Sequence, residues 1–424
     1  MFNLQDKTVR NLILKGEFGL ERETLRITRD GYFATSTHPF TCSENIVRDF
    51  CENQLEINTG VHPDPRGAIS ELAEYTSCIR KMLNALKEPE YIWPFSNPPY
   101  IRSEEDIPIA IYTGPESEKT DYRRYLAKKY GKYKMTFSGI HLNFSFSPSL
   151  LVADFSASDY VDFTKYKQRL YLDLALQLLI YGWIITALTA ASPLLDGSFK
   201  SPSFLGRDLS TGHASERCSE DGYFNDFVPV MDYSSSEAYA LSIDKYVTGG
   251  LLFAPSELYF PIRLKAKGPY DTEHLINGYT HIELRMYDLN PLAEELIDEK
   301  DVRFAQLLCI YLLSFPAIEP DKETKASHIQ TFWDASHYNL SKKMKCPDGK
   351  VRSMLDEGIR ILNNMEKFYQ DVAPNMLDII RFQKDKFINP DHRYAAQIRE
   401  IYGNGFVKKG LKLAKDFTLK ELSQ

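Results

Sequence analysis

SGIHLNFSFS, residues 138–147, alternates without a break: Ile140, Leu142, Phe144 and Phe146 fall on one side of an extended chain, His141, Asn143, Ser145 and Ser147 on the other. A period of two predicts a strand with one buried and one wet face, because successive side chains leave the pleat in opposite directions. HIELRMYDLNP (281–291) repeats the pattern, with Ile282, Leu284 and Met286 on the inner face and His281, Glu283 and Arg285 on the other. SELYFPIRLKAK (256–267) sets Tyr259, Arg263 and Lys265 together, and Pro261, lacking an N–H for a ladder, predicts an edge position or a bulge. In FGLERETLRI (18–27), Glu21 and Glu23 share one face of a further strand. Strands with one apolar and one polar face, interspersed with helices, predict an α+β fold: an antiparallel sheet covered by helices.

The helices are read from apolar residues at three- and four-residue steps. DPRGAISELAEYTSCIRKMLNALKE (64–88) opens with Pro at a helix start and closes with basic residues that suit the terminal dipole, predicting a surface helix against the sheet. Others are expected over 157–191, 295–315, 352–373 and 391–402, so the C-terminal third, about 295–424, is mainly helical. LDLALQLLIYGWIITALTAA (172–191) approaches bilayer length, but it carries Asp173 and Gln177 and continues a pattern from Lys165, Lys167 and Arg169. It reads as a buried central helix rather than a membrane span. No linker marks a boundary, and the stretch 194–226, rich in Ser, Gly and Asp, reads as an insertion over a site, so residues 1–424 are expected to form one domain.

Composition excludes some functions. A net charge of −7 with scattered Lys and Arg offers no footprint for nucleic acid. The six cysteines (Cys42, Cys51, Cys78, Cys218, Cys309, Cys346) include no CxxC pair, which predicts free thiols in a reducing compartment. MFNLQDKTVRNLILKGEFG at the amino terminus has no signal-like apolar run, so a cytoplasmic location is expected.

Glu21 and Glu23, side by side, repel unless a cation sits with them, and oxygen ligands favour magnesium or manganese over zinc. The same pair also reads as exposed residues beside Arg22 and Arg26. In RDFCENQLEINTG (48–60), Asp49, Glu52 and Glu56 fall among apolar residues, where carboxylates are costly to bury unless paired or bound to metal. His141 reads as a ligand or a hydrogen-bonded structural group, and Glu283 with Arg285 as site residues or an ion pair. Together they describe a carboxylate-rich site with divalent ions, clamped by Arg263, Lys265 and Arg285, that suits a nucleoside triphosphate. Neither a G-x-x-x-x-G-K-[ST] loop nor a G-x-G-x-x-G turn is present, so phosphate would be held through metal and side chains.

Nine segments carry a resemblance: GLERETLRI (19–27), RDFCENQLEI (48–57), WPFSNPP (93–99), YRRYLAKKYG (122–131), SGIHLNFS (138–145), ASPLLDGSF (191–199), SERCSEDGY (215–223), ELYFPIRLK (257–265) and HIELRMYDLNP (281–291). In this order they resemble bacterial glutamate–cysteine ligase. The resemblance implies a glutamine synthetase-like fold, a curved antiparallel sheet forming a funnel covered by helices. It implies metal ligands at Glu21, Glu23, Asp49, Glu56, His141 and Glu283, with Arg285 at the glutamate and the transferring phosphate and Glu23 and Glu283 completing the catalytic set. Phe50, Tyr122, Arg217, Tyr223 and Tyr259 match a cysteine pocket, and Arg263 and Lys265 lie beside the nucleotide phosphates. The implied reaction is the ATP- and magnesium-dependent (or manganese-dependent) joining of glutamate's γ-carboxylate to cysteine's amine, the first step of glutathione biosynthesis. Met135 and Phe137 depart from the better-known relatives, which carry Gln and Ile there. No ATP-grasp module follows the helical tail, so glutathione itself is not expected as product. A ligase using another amine and a non-catalytic sensor of glutamate or nucleotide are the rival readings; oligomeric state is not legible.

Overall fold

The computed structural model describes residues 1–41 and 43–423. Its strands are β1 (Gly16–Ile27), β2 (Ile46–Arg48), β3 (Gln54–Asn58), β4 (Tyr91–Ile92), β5 (Gly139–Phe146), β6 (Leu195–Asp196), β7 (Asp208–Leu209), β8 (Ile262–Lys265), β9 (His281–Asp288), β10 (Lys343–Lys345) and β11 (Val351–Ser353). The helices through the middle of the chain are α1 (Lys7–Leu12), α2 (Pro65–Asn84), α3 (Glu118–Tyr130), α4 (Pro148–Ser156), α5 (Phe163–Tyr181), α6 (Trp183–Thr189), α7 (Ser236–Thr248) and α8 (Thr272–Asn277). Those of the C-terminal third are α9 (Glu299–Leu313), α10 (Lys322–Ala335), α11 (Met354–Val372), α12 (Leu377–Ile388), α13 (Tyr394–Tyr402) and α14 (Phe406–Leu422).

The principal sheet runs β2-β3-β1-β5-β9-β8, antiparallel throughout, with β4 pairing the end of β1. β1 is long enough to hold β5 along its first half and β3 along its second, which makes it the spine of the site. β8 is an edge strand, and Pro261 immediately precedes it, where its missing N–H costs no ladder bond.

The apolar face (Leu20, Leu142, Phe144, Ile282, Leu284, Ile262, Leu264) is buried, with α2 packed on β1 and β3, and α5 and α6 on β8 and β9. Two cations break this face. Arg22 donates from Nη2 to Thr76 Oγ1 of α2 at 2.6 Å and pairs through Nη1 with Glu295 Oε2 at 3.3 Å. Arg26 pairs with Glu90 at 2.5 Å and donates to the Ser36 and Glu52 carbonyls. Both are fully buried, so they anchor the strand from behind rather than neutralising Glu21 and Glu23 at a surface.

Two expectations need correction. The predicted helix 157–191 starts instead at Phe163, capped by Asp162, and is broken at Gly182, where α5 and α6 bend by 56°. A Cβ at Gly182 would lie 2.5 Å from the Leu178 carbonyl and 3.2 Å from Phe332, so only glycine lets α10 press into the bend. Among the described residues no single helix is long and apolar enough to cross a membrane. The strand predicted over 256–267 is paired into the sheet only over Ile262–Lys265, because Pro255–Glu257 forms a 3-10 turn at its start. Helix α2 lies against the sheet as expected, with α9 and α14 beside it and Arg66, Ser70, Glu74, Lys81 and Met82 exposed on its outer face.

The polar face of the sheet is only partly wet, with Glu21 and Lys265 each keeping 24% of their side-chain surface exposed. α3 and the segments around Tyr223 and Tyr259 roof it, leaving His141 4% and Ser145 8% exposed. Of the cysteines, Cys42 lies outside the described residues and the other five are free thiols.

Candidate active site

Strand pairing brings the acidic residues together. In the β1–β5 register Glu21 faces His141, and in the β1–β3 register Glu23 faces Glu56. Across β9, Glu283 faces Asn143 on one side and Arg263 on the other. The β5–β9 register slips at His141, a bulge in which Arg285 and Met286 together oppose one residue. The slip brings Arg285 Nη1 within 3.0 Å of Glu283 Oε1 and 3.2 Å of His141 Nδ1.

One cavity of about 290 Å³ is lined by Glu21, Glu23, Asp49, Glu56, His141 and Glu283, together with Arg263, Lys265 and Arg285. His141 Nδ1 lies 3.1 Å from Glu21 Oε2 and 3.9 Å from Glu283 Oε1, and its Nε2 lies 3.6 Å from Glu23 Oε1. Ligating atoms of Glu21, His141 and Glu283 all fall within 4.8 Å of one another. Every metal ligand expected from the sequence therefore borders one space.

Its electrostatics are uneven. On the β1–β3 side, burial and the neighbouring charge of Asp49 push the Glu23 carboxyl up to about 7; burial and Asp49, Glu21 and Glu23 push Glu56 up to about 8. Burial also raises Asp49. On the β9 side Glu283 is buried as well, but Arg285, Lys265 and Arg263 overcome that penalty and hold it well below the carboxylate range. Burial and Arg285 drive His141 down to about 4, so its imidazole is neutral at pH 7. His141 Nε2 and Glu283 Oε2 are buried without hydrogen-bond partners. A mostly oxygen donor set with one neutral imidazole, two orphaned buried atoms and crowded carboxylates is what a hard divalent cation would satisfy.

Of the expected pocket residues, Phe50, Tyr122, Tyr223 and Tyr259 also line the cavity. The Tyr223 and Tyr259 rings pack with centroids 4.3 Å apart. Arg217 is placed differently. It borders a smaller adjoining cavity of about 20 Å³ behind Tyr223 and Arg285, and its Nη1 donates to the carbonyls of Arg285 (3.0 Å) and Tyr287 (3.3 Å). Its guanidinium lies against Gly139, where a Cβ would approach to 2.2 Å. Arg263 donates to the Ser256 and Leu258 carbonyls while facing Glu283 Oε2 at 3.6 Å, and Lys265 Nζ lies 3.8 Å from Glu283 Oε1. Met135 lines the cavity, whereas Phe137 packs on Phe199 at 5.1 Å.

Two participants are not foreseen by the sequence reading. Asn143 Nδ2 donates to Glu21 Oε1 at 2.8 Å, and its position on the polar face of β5 is the available signal. Arg123, from α3, reaches the Asp49 carbonyl and lines the cavity; no periodicity in YRRYLAKKYG singles it out. The buried Asp288, at the end of β9, orders the segment before β6 by accepting from Ala191 N and Ser192 Oγ, each at 2.8 Å.

Known proteins share this framework. Residues 1–251 match the profile of the glutamate-cysteine ligase family, a span that holds β1, β3, β5 and α3. The glutathione biosynthesis bifunctional protein GshAB of Listeria monocytogenes is 33% identical over 97% of this chain and 56% of its own length. Its Pasteurella multocida counterpart is 30% identical over 96% and 53%. This chain therefore spans about half the length of those relatives. Among solved structures, a bifunctional glutathione synthetase from Pasteurella multocida superposes with a TM-score of 0.84 at 28% identity, covering 99% of this chain and 54% of that one. A glutamate–cysteine ligase from Francisella tularensis in complex with AMP superposes equally well, TM-score 0.84 at 24% identity over 97% and 89%, which is a statement about fold. With the mixed helical and antiparallel architecture and the profile match in agreement, the chain belongs to the glutamate–cysteine ligase family.

Proposed function

We propose that this chain joins the γ-carboxylate of glutamate to the amino group of cysteine, with ATP as co-substrate and magnesium, or manganese, in the carboxylate cluster. The observation that carries the reading is the meeting of Glu21, Glu23, Asp49, Glu56, His141 and Glu283 with Arg263, Lys265 and Arg285 around one cavity. Bound magnesium would supply the positive charge that lets a triphosphate and a carboxylate approach each other. The chain's own residues do the rest. Arg285, fixed by Glu283, is set to neutralise charge developing on the transferring phosphate as the γ-carboxylate attacks it. Arg263 and Lys265 steady the nucleotide phosphates. ADP leaves as the acyl phosphate forms, and the cysteine amine then attacks the γ-carbonyl, losing a proton as phosphate departs, while Phe50, Tyr122, Tyr223 and Tyr259 keep water out. Arg217 acts on this pocket from behind, by holding the backbone at Arg285.

The polar face serves as the wall of a funnel like that of glutamine synthetase, with residues 1–424 as one catalytic unit buttressed by the helices of about 295–424. Five free thiols suit a cytoplasmic setting and the first step of glutathione biosynthesis. Incubation with ATP, magnesium and glutamate against a panel of amino acids tests the reading. ADP and γ-glutamylcysteine should form with a clear preference for cysteine. Turnover without that preference would point to a ligase for another amine, and ATP binding without ADP under any amine would point to a sensor.

A further inference from the structure

Away from the cavity, two loops meet and place histidines opposite each other. Ala214 N and Ser215 N both donate to the Ser336 carbonyl, at 2.6 and 2.9 Å, and Tyr338 N donates to the Gly212 carbonyl at 3.2 Å. These bonds pin His213 and His337 as a bridged pair, their rings edge to face with centroids 4.5 Å apart. His213 Nδ1 lies 2.8 Å from Glu216 Oε2, a carboxylate only 1% exposed that also accepts from Thr211 Oγ1. On its other side, His213 Nε2 faces Glu220 Oε1 at 3.7 Å, and His337 Nε2 lies 3.1 Å from Glu220 Oε2.

We propose that His213, His337 and Glu220 form a second metal site, for a divalent ion of the zinc class. Three observations support it. Ligating atoms of the three residues lie within 4.8 Å of one another, and the two oxygens of Glu220 lie one 3.7 Å from His213 Nε2 and the other 3.1 Å from His337 Nε2, each near the edge length of a ligand tetrahedron. That edge is about 3.3 Å for zinc at its usual ligand distance. Glu216 fixes the tautomer, since Nδ1–H donated to a buried carboxylate leaves Nε2 free as a ligand, the arrangement that orients metal-binding histidines. The second oxygen of Glu216, Oε1, is buried with no hydrogen-bond partner, and ligating atoms of His213, Glu216 and Asp221 also fall within 4.8 Å of one another. An ion on His213 Nε2 would make the Nδ1–H a stronger donor to Glu216 Oε2 and so offset the burial of that carboxylate.

Two imidazoles select zinc, cobalt or nickel over magnesium, so the site is chemically distinct from the oxygen-rich cavity. None of its residues lines that cavity. Half-exposed Glu220 leaves a side open for water as a fourth ligand. Glu216 and Glu220 flank Arg217 and lead into Tyr223, so the ion would clip the segment behind the pocket to the end of α10.

The test uses the untagged full chain, stripped with EDTA and titrated with zinc against a chromophoric chelator. One equivalent should bind with a Kd below about 1 µM and survive excess magnesium, and cobalt should give the visible bands of a four-coordinate site. His337→Gln and Glu220→Gln, both at partly exposed positions where a polar replacement leaves the core intact, should each weaken zinc at least about 10-fold and abolish the rise in Tm that zinc gives the parent chain. Glu283→Gln should leave this zinc in place. Absence of binding tighter than about 100 µM would overturn the proposal and leave His213 as a proton bridge between two carboxylates. Zinc lost in Glu283→Gln but kept in His337→Gln would overturn it too, by moving the ion into the cavity.

Discussion

Glu56 illustrates how the cluster trades stability for function. It faces Glu23 across two strands, and burial together with Asp49, Glu21 and Glu23 lifts its carboxyl to about 8. Replacing it by a neutral isostere removes that repulsion, so Glu56→Gln should raise the Tm of the metal-free chain while lowering kcat by about 100-fold or more. A melting curve in EDTA beside an ADP-release assay checks both halves; a lowered Tm would mean the carboxylates are not crowded. Gly139 tests the wall behind the pocket. A Cβ there meets the Arg217 guanidinium at 2.2 Å, so Gly139→Ala should cost about 1–3 kcal/mol and raise KM for the amino-acid substrates, read by urea unfolding and kinetics. That Glu21, Glu23, His141, Glu283 and Arg285 share a polar face was legible from alternation, since they hold strand positions of one parity, whereas Asp49 and Glu56 as ligands and the pocket aromatics entered through the family resemblance. Where Arg217 lies was not legible. Its position depends on a glycine on another strand, a contact 78 residues away in sequence.

β1 carries charge on both faces, and the two sets act differently. Glu21 and Glu23 face the cavity, whereas Arg22 and Arg26 are sealed against α2, Glu295 and Glu90. Arg22→Ala would strand Glu295 and leave a hole beside Thr76, so a loss of about 3 kcal/mol or more is expected in chemical denaturation. A change below about 0.5 kcal/mol would show that the pair is merely superficial. Helix α10 gives the pH signature. Burial pushes His328 down to about 4, and its Nδ1 has no partner. The unfolded chain, with a histidine pKa near 6.5, binds the proton first, so this group removes stability as pH falls from about 6.5 to 4, by about 1.4 kcal/mol for each pH unit crossed. His38, His141 and His281 act in the same direction and Glu23 and Glu56 oppose them, so the test is a comparison: His328→Gln should lose less Tm over that window than the parent chain. The strands over 138–147 and 281–291 were visible because their alternation is strict. The break at Gly182 was not, because an unbroken apolar run carries no sign of where a neighbouring helix presses in.

Taken whole, the molecule is a sheet with its apolar side buried under helices and its polar side roofed over a cavity. The α+β class followed from one-sided strands, and the helical C-terminal third from its periodicity. The roof did not follow, because α3 and the segments around Tyr223 and Tyr259 are brought over His141 by long-range packing, which turns an expected wet face into a partly enclosed one. Enclosure matters, since it lets a few cations and carboxylates act at low dielectric on charges that water would otherwise screen. The central claim is that these side chains gather around bound cations. Crystals soaked with manganese and a non-hydrolysable ATP analogue would test it by anomalous diffraction. The account predicts peaks at bonding distance from members of the set Glu21, Glu23, Asp49, Glu56, His141 and Glu283; an ordered nucleotide with no anomalous peak in that cavity would contradict it.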